Sequence, residues 1–235
     1  MILKSSLSIL ALVGLSLSAH AQAKEAPVQI RAVLHDPVHP TAELFYPNEA
    51  GTVVKLDFRP QDLSRELSIL PVNGSLVLYD KAVIDPKKPE ASLAACVRLP
   101  PDLKRAMVVV MPAPEGEKPA YRMVVIDDSE KAFPGGESRA LPLIGVETAI
   151  QAGEHRLPIH PGKITSVPPV TKRDEYNMAQ TNFYYQQGKA WVPFTERQLQ
   201  YLDASRRLFI IHATPGALQP TITTIVDTKL KVAPR

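Results

Sequence analysis

The chain has 235 residues, a formal charge of +3, 45% apolar and 22% charged residues, values of an ordinary globular protein that exclude a disordered chain. The basic pairs Lys87-Lys88, Lys172-Arg173 and Arg206-Arg207 are scattered and read as solvated loops or strand ends, which excludes a nucleic-acid groove. A single cysteine, Cys96, excludes an internal disulfide, and 23 prolines, about twice the usual ~5% share, argue against long helices.

Residues 1–23 carry one basic residue, Lys4, an apolar run from Leu7 to Leu17, and small residues ending in Ala19-His20-Ala21-Gln22-Ala23. This pattern predicts a cleavable secretory signal, and the run is too short to be read as a membrane span. The expected destination is the periplasm or the cell exterior, with no transmembrane anchor in the mature chain.

Val28 to Leu34 reads as a strand, and Val53 to Arg59 alternates with Val54, Leu56 and Phe58 on one side, the pattern of a half-exposed antiparallel strand. Leu67 to Leu70 and Leu76 to Tyr79 follow, with Asn73-Gly74 as a tight hairpin turn between them. Leu93, Ala94, Ala95 and Val97 surround Cys96, so the thiol is expected to be buried and inert. Met107 to Met111 is apolar at every position and predicts a central strand covered on both faces; Tyr121 to Ile126 returns beside it.

After Asp127-Asp128-Ser129 and the turn at Pro134-Gly135-Gly136, a second series begins. Ser138 to Ile144, Val146 to Gln151, His155 to Ile159, Phe183 to Tyr185, Trp191 to Phe194, Gln198 to Leu202, Leu208 to His212 and Thr221 to Asp227 read as strands. Thr195-Glu196-Arg197-Gln198 fits a capping box, but its apolar face would hold only Leu199 and Leu202, so a strand is preferred over a helix at Glu196 to Ala204. No repeat of fixed period emerges. The expectation is an all-β chain of antiparallel, immunoglobulin-like sandwiches in tandem: a first domain at 24–130, a second at 131–228, and a flexible tail at 229–235.

Leu99-Pro100-Pro101-Asp102-Leu103, Met107 to Met111 ending in Pro112, Tyr121 to Ser129, Phe133-Pro134-Gly135-Gly136 and Pro161-Gly162 together resemble a diffuse group of secreted bacterial β-sandwich proteins. The resemblance covers about the middle third of the chain. It implies a fold and carries over no catalytic residue, since its motifs are strand and turn punctuation.

His35 and His39, four apart with Asp36 between, are the nearest approach to a metal-ligand pair, although Pro37 and Pro40 stiffen the segment and no third ligand is identifiable. His155 and His212 adjoin apolar residues and read as structural. Asp127-Asp128-Ser129-Glu130 reads as an Asx turn in preference to a carboxylate pair. Gly-x-Ser-x-Gly, His-Glu-x-x-His and phosphate-cradling glycine patterns do not occur. More than half of the aromatic residues lie between Tyr176 and Phe209; with Phe183 and Tyr185 on one side of a strand and Tyr184 on the other, Tyr184, Trp191 and Tyr201 are candidates for a ligand surface. These features point to a non-enzymatic cell-envelope protein that binds a protein partner or has a structural role. The alternatives are a carbohydrate-binding module at Tyr184 and Trp191, and a metal-dependent enzyme at His35 and His39. No cofactor is implied.

Overall fold

The computed structural model describes residues 26–36, 41–59 and 61–228. The expected signal segment, the tail and His39 lie outside the described residues. The strands are β1 (Val28–Leu34), β2 (Phe45–Pro47), β3 (Val53–Lys55), β4 (Leu67–Ile69), β5 (Ser75–Tyr79), β6 (Leu93–Arg98), β7 (Arg105–Pro112) and β8 (Tyr121–Asp127). A second set follows: β9 (Ser138–Pro142), β10 (Thr148–Ala152), β11 (His155–Ile159), β12 (Thr165–Val167), β13 (Met178–Gln187), β14 (Ala190–Gln200), β15 (Ser205–His212) and β16 (Thr221–Thr228). The protein is all-β. Among the described residues the only helical element is a short 3-10 turn at Pro89–Ser92, and no helix is long and apolar enough to cross a membrane.

The strands form four sheets, ordered β4-β1-β7-β8, β3-β2-β5-β6, β12-β9-β15-β16 and β11-β10-β13-β14. Adding eight to every strand number in the first two orders reproduces the last two. The parallel pairing of β1 with β7 recurs as the parallel pairing of β9 with β15. The chain is thus a topological duplication with no counterpart periodicity in its sequence. Those parallel pairs make two of the four sheets mixed and leave the other two antiparallel, and the strand orders are not the ABED and CFG orders of an immunoglobulin domain. The sandwich architecture holds; the immunoglobulin label does not follow from it.

Each sandwich has its own core. Ile30, Leu56, Leu76, Leu78, Val108 and Val110 pack between the first two sheets, and Ile150, Ile159, Phe183, Phe209 and Ile211 between the last two. A third apolar layer, with Val33, Met107, Val109, Ile126, Leu208, Ile210 and Ile225, lies between the sandwiches. It explains why Ala106 to Met111 of β7 is apolar at every position: Ala106, Val108 and Val110 face the core of its own sandwich, while Met107 and Val109 face the other sandwich. β15 does the same with Phe209 and Ile211 inward and Leu208 and Ile210 toward the junction.

The same alternation governs the charged residues. On β1, Arg31, Val33 and His35 share the junction face, and on β15 so do Arg206, Leu208, Ile210 and His212. Arg206 and Arg207, expected to be solvated, are both buried; one faces the junction and the other faces inward with its guanidinium 4.6 Å from the Tyr201 ring. At the junction Arg31 donates to Asp128 at 2.8 Å and to Asp227 at 2.7 Å, and Arg206 donates to Asp128 at 2.6 Å and to Asp227 at 3.0 Å. Two cations and two anions neutralise one another away from water, and Arg206 also donates to the Phe133 carbonyl at 2.7 Å.

Local expectations fare unevenly. Asn73 and Gly74 form the expected tight two-residue turn, with positive φ at 51° and 69° and Val72 and Ser75 exchanging both backbone hydrogen bonds across it, but β4 and β5 beyond it belong to different sheets, so the turn carries the chain from one sheet to the other. The stretch from 53 to 59 forms a regular strand only at Val53–Lys55, although Leu56 is buried and Val54 and Phe58 pack on the core as the alternation requires. The two strands expected at 191–194 and 198–202 are one, β14, and the helix considered there does not form. Cys96 is exposed on β6, because alternation turns it outward while Ala95 is buried and Val97 packs on the core. The expected Asx turn is present: Asp127 accepts from the Ser129 N–H at 2.9 Å, while Asp128 turns to the junction and accepts from Arg206.

Candidate functional site: an aromatic groove on the second sandwich

β13 and β14 form a hairpin closed by the two residues Gly188 and Lys189, with Gly188 at φ +62° supplying the conformation that a short right-twisted turn needs. From that hairpin, Phe183 turns inward onto Phe209 at 5.2 Å, and Tyr185 packs edge-on against Phe194 at 5.9 Å. Tyr184 points the other way. A register shift between Phe183 and Tyr184 sets Tyr184 opposite Pro193, and Trp191 stands opposite Gln186. Both rings therefore lie on the outer face of the sheet.

The neighbouring strands complete that face. Tyr184 is opposite Ala149 of β10, Ala149 is opposite Pro158 of β11, and the next outward row aligns Arg156, Gln151 and Asn182. Tyr184, Trp191, Ala149, Gln151, Arg156 and Pro158 border a groove of about 430 Å³. Trp191 is 48% exposed, an unusual condition for a large apolar ring, and the Asn182 amide reaches the Tyr184 hydroxyl at 3.4 Å. The groove thus offers two aromatic rings, a guanidinium and an amide on an apolar floor, the usual make-up of a small-molecule recognition surface. Sequence reasoning found Tyr184 and Trp191 but missed Gln151 and Arg156; their alternation about the Ala152-Gly153-Glu154 turn was the available signal.

Tyr201 is not part of this face. It is 2% exposed, its hydroxyl is 2.7 Å from that of Thr181, and Arg207 lies over its ring. Burial pushes its phenol above the ordinary value, against the hydrogen bond with Thr181 and the charge of Arg207.

His35 lies at the junction of the sandwiches, where its ring meets that of His212 edge-on at 4.4 Å. Burial, and the neighbouring His212, lower His35 from 6.5 to about 4 against the opposing pull of Asp36. Burial also lowers His212, against its hydrogen bond with the Ala213 carbonyl. Among the described residues no three His, Cys, Asp or Glu side chains gather as metal ligands. His155 Nε2 lies 3.0 Å from the Pro169 carbonyl, a structural contact, and His160 pairs with Glu147 at 2.8 Å on the surface.

No protein family model matches the sequence, and no curated protein matches it at a significant level.

Proposed function

We propose that this chain is an exported, non-enzymatic protein of the cell envelope that binds carbohydrate on the outer face of its second sandwich. The observation that carries the reading is the pairing of half-exposed Trp191 with Tyr184 across a groove edged by Gln151 and Arg156. Sugar rings present apolar C–H faces that stack on aromatic rings, and hydroxyls that take hydrogen bonds from amide and guanidinium groups. The residues bordering the groove include no carboxylate or imidazole to move a proton, which supports binding in preference to turnover. Export rests on the signal-like residues 1–23.

The reading is tested by affinity electrophoresis and glycan-array binding of the native protein beside Trp191→Ala and Tyr184→Ala. Retention by at least one polysaccharide, weakened tenfold or more in each variant with the melting temperature unchanged, is expected. Silence of the native protein on a broad array overturns it.

A protein partner is the second reading, and one feature favours it. β14 is an 11-residue strand at the edge of its sheet, paired only with β13, and such an edge can take up an extended segment of another chain. Pro193, within β14, lacks the N–H that such pairing uses, so any added strand would engage Thr195 to Gln200. Cross-linking from cysteines placed at Gln198 and Gln200 in envelope extract would capture that partner in a specific band; no such band counts against this reading alone.

A further inference from the structure

A second cavity opens where the two sandwiches meet, beyond Val33 and away from the Arg31–Asp227 ion pair. It has a volume of about 640 Å³ and is bordered by His35, Gln61, Arg197, His212, Thr221 and Thr223, with Val33, Ile222 and Ile225 as its apolar wall. Clefts between packed units are favoured places for small ligands. Three observations give this one a chemical character.

His35 is 8% exposed, and its Nε2 atom is buried with no hydrogen-bond partner among the described residues. A buried polar atom left unsatisfied costs about 1–3 kcal/mol, so it marks a place where a group is missing or held ready. Arg197 is paired with Thr181 through the backbone ladder of β14, but its guanidinium has no hydrogen bond or ion pair among the described residues, whereas Arg31 and Arg206 at the junction are paired with carboxylates. The cavity is also bordered by Thr221, Thr223 and Thr224 and by Gln61, and Thr223 already lies 3.1 Å from His212 Nε2. Donors and one cation thus outnumber the single bordering carboxylate, Asp36.

We propose that this cavity binds a small organic acid, with its carboxylate held by Arg197 and the His35 imidazole and its carbon skeleton against Ile222 and Ile225. An oxyanion satisfies the orphaned imidazole nitrogen and the guanidinium together, and the apolar wall favours a carbon-bearing anion over an inorganic one. The His212 ring stands edge-on to His35 at 4.4 Å, so a ligand held at His35 changes the surroundings of both imidazoles. This inference does not depend on the carbohydrate reading.

The test is a titration of ¹⁵N-labelled protein at pH 7 with acetate, succinate and citrate, and separately with inorganic phosphate and with Zn²⁺, following the histidine ring nitrogens by NMR. Saturable shifts of His35 and His212 with at least one of the organic acids, weakened tenfold or more in Arg197→Gln and unchanged in Trp191→Ala, are the expected result. Arg197 is exposed, so its replacement leaves the fold intact. A response to phosphate alone, to Zn²⁺ alone or to none of the five overturns the proposal, as does undiminished binding of the organic acids by Arg197→Gln.

Discussion

Arg31 grips Asp227 with two parallel hydrogen bonds, Nη1 to Oδ1 at 2.7 Å and Nη2 to Oδ2 at 2.8 Å, between residues 196 positions apart. One residue belongs to the first and the other to the last strand among the described residues. Both are buried, so the fork joins the sandwiches where water cannot compete. Removing one partner leaves an uncompensated charge, and Asp227→Ala or Arg31→Ala is expected to destabilise the protein by about 3–5 kcal/mol. Replacing Arg31, Arg206, Asp128 and Asp227 together with apolar residues of similar size is expected to cost far less, because no ion is then stranded. Urea denaturation of the single and quadruple variants checks both outcomes.

Acid should weaken the junction through the same carboxylate. Burial acts to raise Asp227, but the hydrogen bonds and charges of Arg31 and Arg206 outweigh it and hold the carboxyl at about 2, below its ordinary 3.8. A carboxylate lowered on folding contributes stability that is complete above about pH 4 and disappears as the pH falls toward 2. Unfolding free energies measured between pH 5 and pH 2 should fall across that window, and should fall less in Asp227→Asn.

Gly135 marks a close approach of backbones. A Cβ at this position would sit 2.5 Å from the Asp203 carbonyl oxygen, which cannot move without displacing the turn before β15. Gly135→Ala should cost about 1–3 kcal/mol as an overpacking defect. Gly145→Ala, where a Cβ meets nothing within 4 Å, is the matched control and should leave the melting temperature nearly unchanged.

Tyr201 and Trp191 should separate cleanly. Tyr201→Phe removes the buried hydroxyl contact with Thr181 and is expected to cost about 1 kcal/mol in stability while leaving ligand binding intact. Trp191→Ala should do the reverse, since its ring is half-exposed and anchors no core. Parallel thermal melts and glycan-binding curves for the two variants test the pair.

Cys96 should react in the folded protein. It is exposed on β6, and a thiol reagent such as DTNB is expected to label it fully without denaturant, whereas a buried thiol would wait for unfolding.

What could be read directly from the chain was whatever depends on near neighbours. Strand positions such as Val28–Leu34 and His155–Ile159, the turn residues Asn73 and Gly74, and the two-sided burial of β7 follow from side-chain alternation and from the backbone freedom of glycine and asparagine, both local properties. Tyr184 was placed on the outer face by the same alternation. Cys96 shows the limit within a strand: its apolar neighbours suggested burial, but the phase of the alternation put Ala95 inside and Cys96 outside.

The tertiary structure decided which face each sheet turns to its partner. Arg206 and Arg207 look like a surface pair until Asp128 and Asp227, each from a distant strand, and the Tyr201 ring meet them in the fold. The offset of eight strands that maps one sandwich onto the other, the row of Arg156, Gln151 and Asn182 beside Tyr184, and the cavity around His35 and His212 likewise arise only when strands far apart in sequence pair and stack. Periodicity within one strand reports that two faces differ. Only packing against another sheet determines what each face meets, because those contacts join residues whose separation along the chain carries no local signal.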